Sequence, residues 1–193
     1  MKRHGEFSTN APQTTWLTEN DVDRRMSLIA DFWFTDPQGN RWDAPAQSII
    51  DGASIPRALW TLIGSPYTGD YRRASIVHDI ACEEAAGNSA KRKAADRMFF
   101  HACMAGGCSW REAAILYVGV RIGAWWDEQH PAYWKATDGP DRPRIDLTIE
   151  ERRQQADFQL IAARVTSQQE TEEAEEIEAR TDAAAFELLG IVG

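Results

Sequence analysis

The sequence contains few cysteines, a deficit of positive charge and no long apolar run, and each shortage excludes a class of protein. Its 193 residues include 3 cysteines, which excludes a disulfide-rich secreted scaffold. No stretch of about 18 consecutive apolar residues occurs, so we expect no membrane-spanning helix. Lysine and arginine total 21 against 30 acidic residues, for a net charge of −9. A chain this acidic is not typical of proteins that bind nucleic acid directly.

The first residues lack the apolar segment of a secretory signal, because the basic start at residues 2–3 is followed by polar residues. The odd number of cysteines and the missing signal predict reduced thiols and a cytoplasmic location. Cys103 and Cys108 do not have the spacing of a zinc knuckle. We therefore interpret the three cysteines, Cys82 included, as small apolar residues.

Apolar residues make up 43% of the chain, which predicts one globular domain with an appendage. Residues 148–193 hold 11 acidic and 4 basic residues, and they therefore carry most of the net charge. Gly139-Pro140 marks a junction before them. We predict a flexible arm at 1–15, a core domain at 16–147 and an acidic helical extension at 148–193. The extension is the segment that could bind a protein partner.

The first half of the core domain has the pattern of a small antiparallel sheet. Residues 26–35 predict a strand, with aromatic side chains at Phe32, Trp33 and Phe34. The Asp-Pro-Gln-Gly-Asn segment at 36–40 predicts a turn. Residues 41–50 then predict the second strand of a hairpin.

In the rest of the chain, the apolar residues recur with the spacing of a helix. The predicted helices cover residues 56–63, 70–86, 89–105 and 109–126, with a further helix in the extension. Ser89, Ser109 and Thr148 are predicted N-caps, and the last two form capping boxes with Glu112 and Glu151. The predicted class is α+β: a small antiparallel β element, then a mainly α-helical bundle and a C-terminal acidic helical extension.

Four groups of polar residues in otherwise apolar segments form the candidate site. The first is the segment Asp51-Gly52-Ala53-Ser54-Ile55-Pro56. Asp51 and Ser54 can accept hydrogen bonds from the free N–H groups at the start of the following helix. Taken alone, this segment is better explained as a strand-to-helix turn with no functional role.

The second and third features are His78-Asp79 in one predicted helix and Asp96 in the next. If buried, such groups need a hydrogen-bond partner or a metal ion. Asp79 lies eight residues before Gly87 and Asp96 nine residues after it, so a bend at Gly87-Asn88 puts both at the same height of a helical hairpin. We expect His78 or Asp79 to face Asp96, and His101 to lie on a different face.

The fourth feature is Tyr117 with Arg121, which lie one helical turn apart on the next predicted helix. Arg121 could neutralise Asp79 or Asp96. The alternative to a metal ion is therefore a buried network of carboxylate and arginine. Tyr117 and Arg121 are assigned a supporting role in the site.

These features together resemble a family found in phages and prophages and catalogued as a domain of unknown function. Its members have an extended segment ending in D-G/L-A-S-I/V-P-R, then a helix with H-D, then D-x-x-F and Y-x-x-V-R. The corresponding segments of this chain are 51–57, 78–79, 96–99 and 117–121. The resemblance covers about residues 41–126 and departs at 44–47, where members show V-P-x-G-F/Y. It implies no activity, but it implies a protein of the host cytoplasm or of the virion.

The first functional hypothesis is a metal-dependent hydrolase. One zinc or manganese ion would be held by the imidazole of His78 and by three carboxylates, those of Asp51, Asp79 and Asp96. The metal would activate a bound water, and a spare carboxylate would serve as general base. In a phage setting the substrate would be peptidoglycan or a phosphoester. The sequence indicates no organic cofactor.

A second hypothesis makes Ser54 a nucleophile, His78 its base, and Asp79 or Asp96 the residue that orients the base. A third hypothesis is a protein with no catalytic activity, such as a virion or accessory protein or an inhibitor of a host defence factor. Such a protein would act through protein binding, and the sequence leaves oligomerisation open.

Geometry separates these hypotheses. An open cleft at the predicted metal ligands favours a hydrolase. A cluster that is sealed and bonded to Arg121 or Tyr117, with apolar residues exposed on the arm or the extension, favours a binding protein.

Overall fold

The computed structural model describes residues 3–17, 25–50, 55–64, 69–129 and 148–190. The strands are β1 Glu6–Phe7, β2 Thr14–Leu17, β3 Arg25–Leu28, β4 Phe32–Thr35, β5 Arg41–Ala44 and β6 Ile49–Ile50. The helices are a 3-10 turn at Arg57–Leu59, α1 Trp60–Ile63, α2 Arg72–Glu84, α3 Ser89–Gly106, α4 Trp110–Gln129, α5 Ile149–Thr166 and α6 Ala174–Leu189. The predicted α+β class is confirmed. In the part of the chain described, none of the helices has the length and apolar character that a bilayer crossing requires.

The strands form two antiparallel sheets, in the orders β1-β4-β5 and β2-β3-β6. β4 and β5 are the hairpin predicted around residues 36–40, with Phe34 opposite Trp42. Asp36 closes its turn, because its carboxylate accepts hydrogen bonds from the backbone N–H of Asn40 at 2.8 Å and from the indole of Trp42 at 3.0 Å.

Each of the two predicted strands is divided into two shorter ones that lie in different sheets. After β5, Pro45 has no N–H to donate to a neighbouring strand. The backbone N–H of Ala46 instead donates to the carboxylate of Asp31 at 2.8 Å. Gln47 has a φ of 70°, in the left-handed region, which ends the extended run. Apolar patterning predicted extended backbone here, but not the breaks that direct the chain from one sheet to the other.

Part of the segment predicted as a flexible arm is built into the first sheet. Phe7 of β1 lies opposite Phe34 of β4, and their rings pack at a centroid distance of 4.9 Å. Gly5, just before β1, has a φ of 88°, and a Cβ there would lie 2.3 Å from the backbone oxygen of Thr35. Only glycine fits this approach of β1 to β4.

Helices α2, α3 and α4 pack in succession and share one apolar core with the sheets. The bend between α2 and α3 lies at Gly87-Asn88, as predicted. The N-cap of α3 is Asn88, whose side chain accepts from the N–H of Lys91 at 3.0 Å. The prediction of Ser89 as cap was therefore wrong by one residue, because Asn88 has the extended conformation and Ser89 is already helical. The capping boxes that begin at Ser109 and Thr148 are both present.

The end of α3 explains two of the three cysteines. The N–H of Cys108 donates to the carbonyl of Cys103 at 3.1 Å, and the N–H of Gly107 donates to that of Met104 at 3.2 Å. With Gly107 in the left-handed region at a φ of 117°, this is a Schellman ending. The apolar contact that accompanies such an ending joins the positions of Cys103 and Cys108, both of which are buried. Their burial agrees with their interpretation as small apolar residues.

Helices α5 and α6 form the acidic extension, and they pack against the core domain. Ile161 of α5 and Ile177 of α6 have no exposed surface. The acidic side of α6 contacts basic residues of α3, where Arg97 donates to Glu178 at 2.6 Å. The extension therefore shares the apolar core, and its charge is partly balanced by the domain beneath it.

Candidate functional site

The hairpin of α2 and α3 brings His78 and Asp96 into contact. Nε2 of His78 lies 2.8 Å from Oδ1 of Asp96, and neither side chain has any exposed surface. The two residues stand at matching heights on either side of the bend. His78, rather than Asp79, is the member of its pair within hydrogen-bond distance of Asp96.

Two arginines complete the surroundings of the Asp96 carboxylate. Nη1 of Arg121, on α4, donates to Oδ2 at 3.0 Å, and the Arg121 side chain is 4% exposed. Nε of Arg92, one turn earlier on α3, donates to Oδ1 at 3.3 Å. The arginine contact that the sequence offered as the alternative to a metal ion is thus present at Asp96. We call His78, Asp96 and Arg121 the buried cluster.

The groups around His78 and Asp96 shift the pKa values of these two residues toward their charged forms. Burial alone would raise the pKa of Asp96, but the hydrogen bond with His78 and the nearby charges of Arg92, His78 and Arg121 hold that pKa below its usual value. Burial alone would lower the pKa of His78, but the neighbouring Cys82 and the hydrogen bond with Asp96 raise it to about 9. The pair is therefore an imidazolium and a carboxylate at neutral pH.

Cys82 and Arg92 are the residues at this site that the sequence did not predict, and Cys82 is the one with a metal-binding side chain. Its Sγ lies 3.4 Å from Nε2 of His78 and 3.7 Å from Nδ1. A ring nitrogen of His78, Sγ of Cys82 and a carboxylate oxygen of Asp96 all lie within 4.8 Å of one another. The available signal was the i, i+4 spacing of His78 and Cys82 on one predicted helix. This spacing was not used, because all three cysteines were interpreted as small apolar residues.

The other predicted site residues have different surroundings. Asp79 is 5% exposed and lies next to His78 on α2. Tyr117 is fully buried, and within the described ranges its hydroxyl has no hydrogen-bond partner. Burial and the charge of Asp96 raise the pKa of Tyr117 well above its usual value, so the phenol stays neutral. Asp51 and Ser54 lie outside the described residues.

His101 lies away from the buried cluster, as predicted. Its ring stacks on that of His4 at a centroid distance of 6.1 Å. It is 6% exposed, and neither ring nitrogen has a hydrogen-bond partner in the part of the chain that is described. Burial and the nearby His4 both lower the pKa of His101. The pKa values of His78 and His101 are therefore shifted in opposite directions.

The fold and site together define an α+β protein in which three helices are joined by a buried histidine–aspartate–arginine cluster. Residues 26–120 match a family model described as a protein of unknown function, DUF1353. That match includes His78, Cys82 and Asp96 and ends one residue before Arg121. The acidic extension lies beyond it.

Two relatives from Sinorhizobium fredii are similar to the central part of the chain. The uncharacterized protein y4jT is 37% identical over 111 residues, which are 55% of this chain and 32% of the relative. The uncharacterized protein y4iH is 33% identical over 93 residues, which are 48% of this chain and 38% of the relative. The chain thus spans about a third of the length of the curated relatives it matches. No solved structure matches the chain significantly.

Proposed function

We propose that this protein acts by binding another protein and has no catalytic activity of its own. The observation that carries the proposal is the state of Asp96: its side chain is fully buried, and its two oxygens bond to His78 and Arg121. In this proposal the buried cluster stabilises the domain, and the acidic extension supplies the binding surface.

The same observation weighs against the metal-dependent hydrolase with the predicted ligands. A hydrolytic centre must admit water and substrate to its metal. His78 and Asp96 have no exposed surface and Asp79 is 5% exposed, so the described ligands do not line an open cleft. The serine hypothesis depends on Ser54, outside the described residues, and on a base, His78, that is buried against Asp96.

The extension carries the exposed apolar side chains expected of a binding surface. Phe186 of α6 is 65% exposed and Leu160 of α5 is 53% exposed. A large aromatic side chain in such a position is a typical anchor of a protein interface. The structure thus combines the two features that the sequence analysis assigned to a binding protein, a sealed cluster and apolar residues exposed on the extension.

A groove of about 330 Å³ lies between α5 and α6. Small side chains of α6 and charged side chains of both signs surround it. The lining residues are Ala179, Ala183, Ala184, Arg164, Arg180, Glu176, Glu187 and Gln168. The alanines permit close approach of another backbone, and the mixed charges favour a polar rim. The partner that we propose for this groove is an amphipathic helix with an apolar stripe and charged flanks.

The biological setting is part of the same proposal. The resemblance to a phage and prophage family suggests a virion or accessory protein, or an inhibitor of a host defence factor. Proteomics of particles purified from cells that encode the protein would test the virion role. If the protein copurifies with particles in fixed proportion, it is a virion component; if it stays in the cytoplasmic fraction, the accessory or inhibitory role is favoured.

Site-specific crosslinking tests the binding surface. A photo-crosslinking amino acid replaces Phe186 in the cells that encode the protein, and the matched control places it at Glu150, an exposed position near the start of α5. We expect a specific protein adduct from position 186 that position 150 does not form. With that partner purified, Phe186→Ser should weaken binding at least about tenfold, and Glu150→Gln should leave it unchanged.

Two results would overturn the proposal. One is a partner that binds the wild type and Phe186→Ser equally well, which would overturn the assignment of the binding surface to the extension. The other is hydrolysis of peptidoglycan or of a phosphoester by the purified protein that is abolished in a folded His78→Asn variant. The second result would restore the hydrolase hypothesis.

A further inference from the structure

We propose that His78, Cys82 and Asp96 form a zinc site that links α2 to α3. Two of these residues were predicted metal ligands, but Cys82 was not, and it changes the chemistry of the set. The inference does not depend on the protein-binding proposal, because the three residues lie on the core helices and not on the acidic extension.

One pair of donor atoms has the separation that a zinc ion needs, and a second pair is shorter than that separation by about half an ångström. With usual zinc–ligand bonds of about 2.0–2.3 Å, a tetrahedral zinc holds a nitrogen and a sulfur about 3.5 Å apart. Sγ of Cys82 and Nε2 of His78 are 3.4 Å apart. Oδ1 of Asp96 is 2.8 Å from the same Nε2, so an opening of about half an ångström admits the metal.

The identity of the ligands selects the metal. The predicted set of one imidazole and several carboxylates suited zinc and manganese alike. Thiolate is a soft ligand that favours zinc over manganese, magnesium and calcium. A site with one imidazole, one thiolate and one carboxylate therefore favours zinc over these three ions.

The surroundings give the charge balance and the support that a metal ligand needs. Oδ2 of Asp96 is held by Arg121 at 3.0 Å, which orients Oδ1 toward the donor atoms of α2, as outer hydrogen bonds do at metal sites. Zn²⁺ with one thiolate and one carboxylate is neutral, so Arg121 and Arg92 would not face an added positive charge. Arg92, which donates to Oδ1, is 16% exposed and has solvent beside it to turn toward.

Binding exchanges protons for the metal. The imidazole of His78 must lose the proton that it shares with Asp96, and the thiol of Cys82 must lose its own; both protons go to solvent. Cys82 is the only half-buried member of this set, since His78 and Asp96 are fully buried. It therefore lies on the side from which a metal ion enters. A water molecule would fill the fourth coordination position, and because His78 and Asp96 are fully buried, that position does not face an open cleft.

Metal loading of the full chain tests the site. The protein is loaded with zinc, passed through a desalting column and analysed by elemental mass spectrometry, and it is loaded with cobalt in parallel for absorption spectroscopy. We expect one zinc per chain and, with cobalt, a thiolate-to-metal charge-transfer band. Cys82→Ser should weaken zinc binding at least about tenfold and abolish that band. The matched control is Cys108→Ser, which should keep both.

The half-buried position of Cys82 makes its variant more informative than His78→Ala, which removes a fully buried group and can unfold the protein. Circular dichroism confirms that each variant is folded before metal is added. The proposal is overturned if the wild type retains no zinc after loading, or if folded Cys82→Ser binds zinc as tightly as the wild type. Zinc lost with Cys108→Ser but kept with Cys82→Ser would overturn it as well. None of these results changes the outcome of the crosslinking at position 186.

Discussion

Helix α3 carries two sets of charged contacts that have similar chemistry and different surroundings. Toward α4, Asp96 pairs with Arg121, and their side chains are 0% and 4% exposed. Toward α6, Arg97 pairs with Glu178, and their side chains are 32% and 16% exposed. Lys93 and Asp182 form a second pair on that side at 3.0 Å, again with both groups partly exposed.

The difference shows why burial decides the energetic role of an ion pair. In the buried cluster, removal of Asp96 leaves the buried His78 and Arg121 without the carboxylate to which both bond, which costs far more than the pair itself contributes. Between α3 and α6, water solvates whichever charge remains, and the contact contributes little. We therefore expect the buried cluster to decide whether the core helices assemble. The outer pairs instead orient the extension on a surface that apolar burial already holds.

The largest expected effect is that of Asp96→Ala, which removes the carboxylate common to His78, Arg92 and Arg121. We expect the free energy of unfolding to fall by about 3–5 kcal/mol, measured by urea denaturation. The matched control is Glu178→Ala, which should cost at most about 1 kcal/mol. Equal losses in the two variants would contradict the distinction between the buried and the outer contacts.

The next effect concerns what holds the extension. Ile177 of α6 has no exposed surface, and Ile177→Ala should lower the free energy of unfolding by about 2–5 kcal/mol through lost burial and the cavity left behind. Phe186→Ala, at an exposed position of the same helix, should change it by less than about 0.5 kcal/mol. If Ile177→Ala is tolerated as well as Phe186→Ala, α6 does not fold as part of the core.

A pH profile extends the comparison to a buried group that lacks an acidic hydrogen-bond partner. Burial and His4 lower the pKa of His101, against weaker opposing contributions from Glu175, Glu173 and Asp36. Below a pH of about 6.5, His101 of the unfolded chain therefore binds a proton that His101 of the folded chain binds less readily. Stability contributed by neutral His101 is complete above that pH and falls as the pH decreases toward the lowered pKa.

Comparison of the wild type with His101→Gln isolates this contribution from those of the other histidines. Urea denaturation is repeated from neutral to mildly acidic pH, and the loss of stability on acidification should be smaller in the variant. Identical profiles would mean that the folded protein accommodates a charged His101 as readily as the unfolded chain does.

The smallest expected effect is the coupling between Arg97 and Glu178. A double-mutant cycle with Arg97→Ala and Glu178→Ala should yield about 0.2–1 kcal/mol of interaction. Because both groups meet solvent, raising the salt concentration should reduce that value. A coupling as large as the loss caused by Asp96→Ala would remove the distinction between the two sides of α3.

Local features of the sequence predicted most of the secondary structure. The turn at 36–40 and the boxes at Ser109 and Thr148 depend on neighbouring residues, and all three are present. The cap of α3 was misplaced by one residue, because Asn88 and Ser89 have nearly equal capping preference and the backbone conformation decided between them. A small antiparallel sheet was predicted, but the division of the strands between two sheets was not, since strand partners distant in sequence are set by packing.

For the candidate site, the sequence by itself determined which groups would lie at one height of the α2–α3 hairpin, because helical spacing and one bend set that geometry. It also determined that Asp96 would need a partner if buried, because a charged group cannot leave water uncompensated. Only the tertiary structure decided that His78 is that partner, that Arg121 reaches the other oxygen and that Cys82 joins the donor set. Those outcomes depend on how three helices rotate and pack against one another, and rotation about a helix axis is decided by contacts between elements.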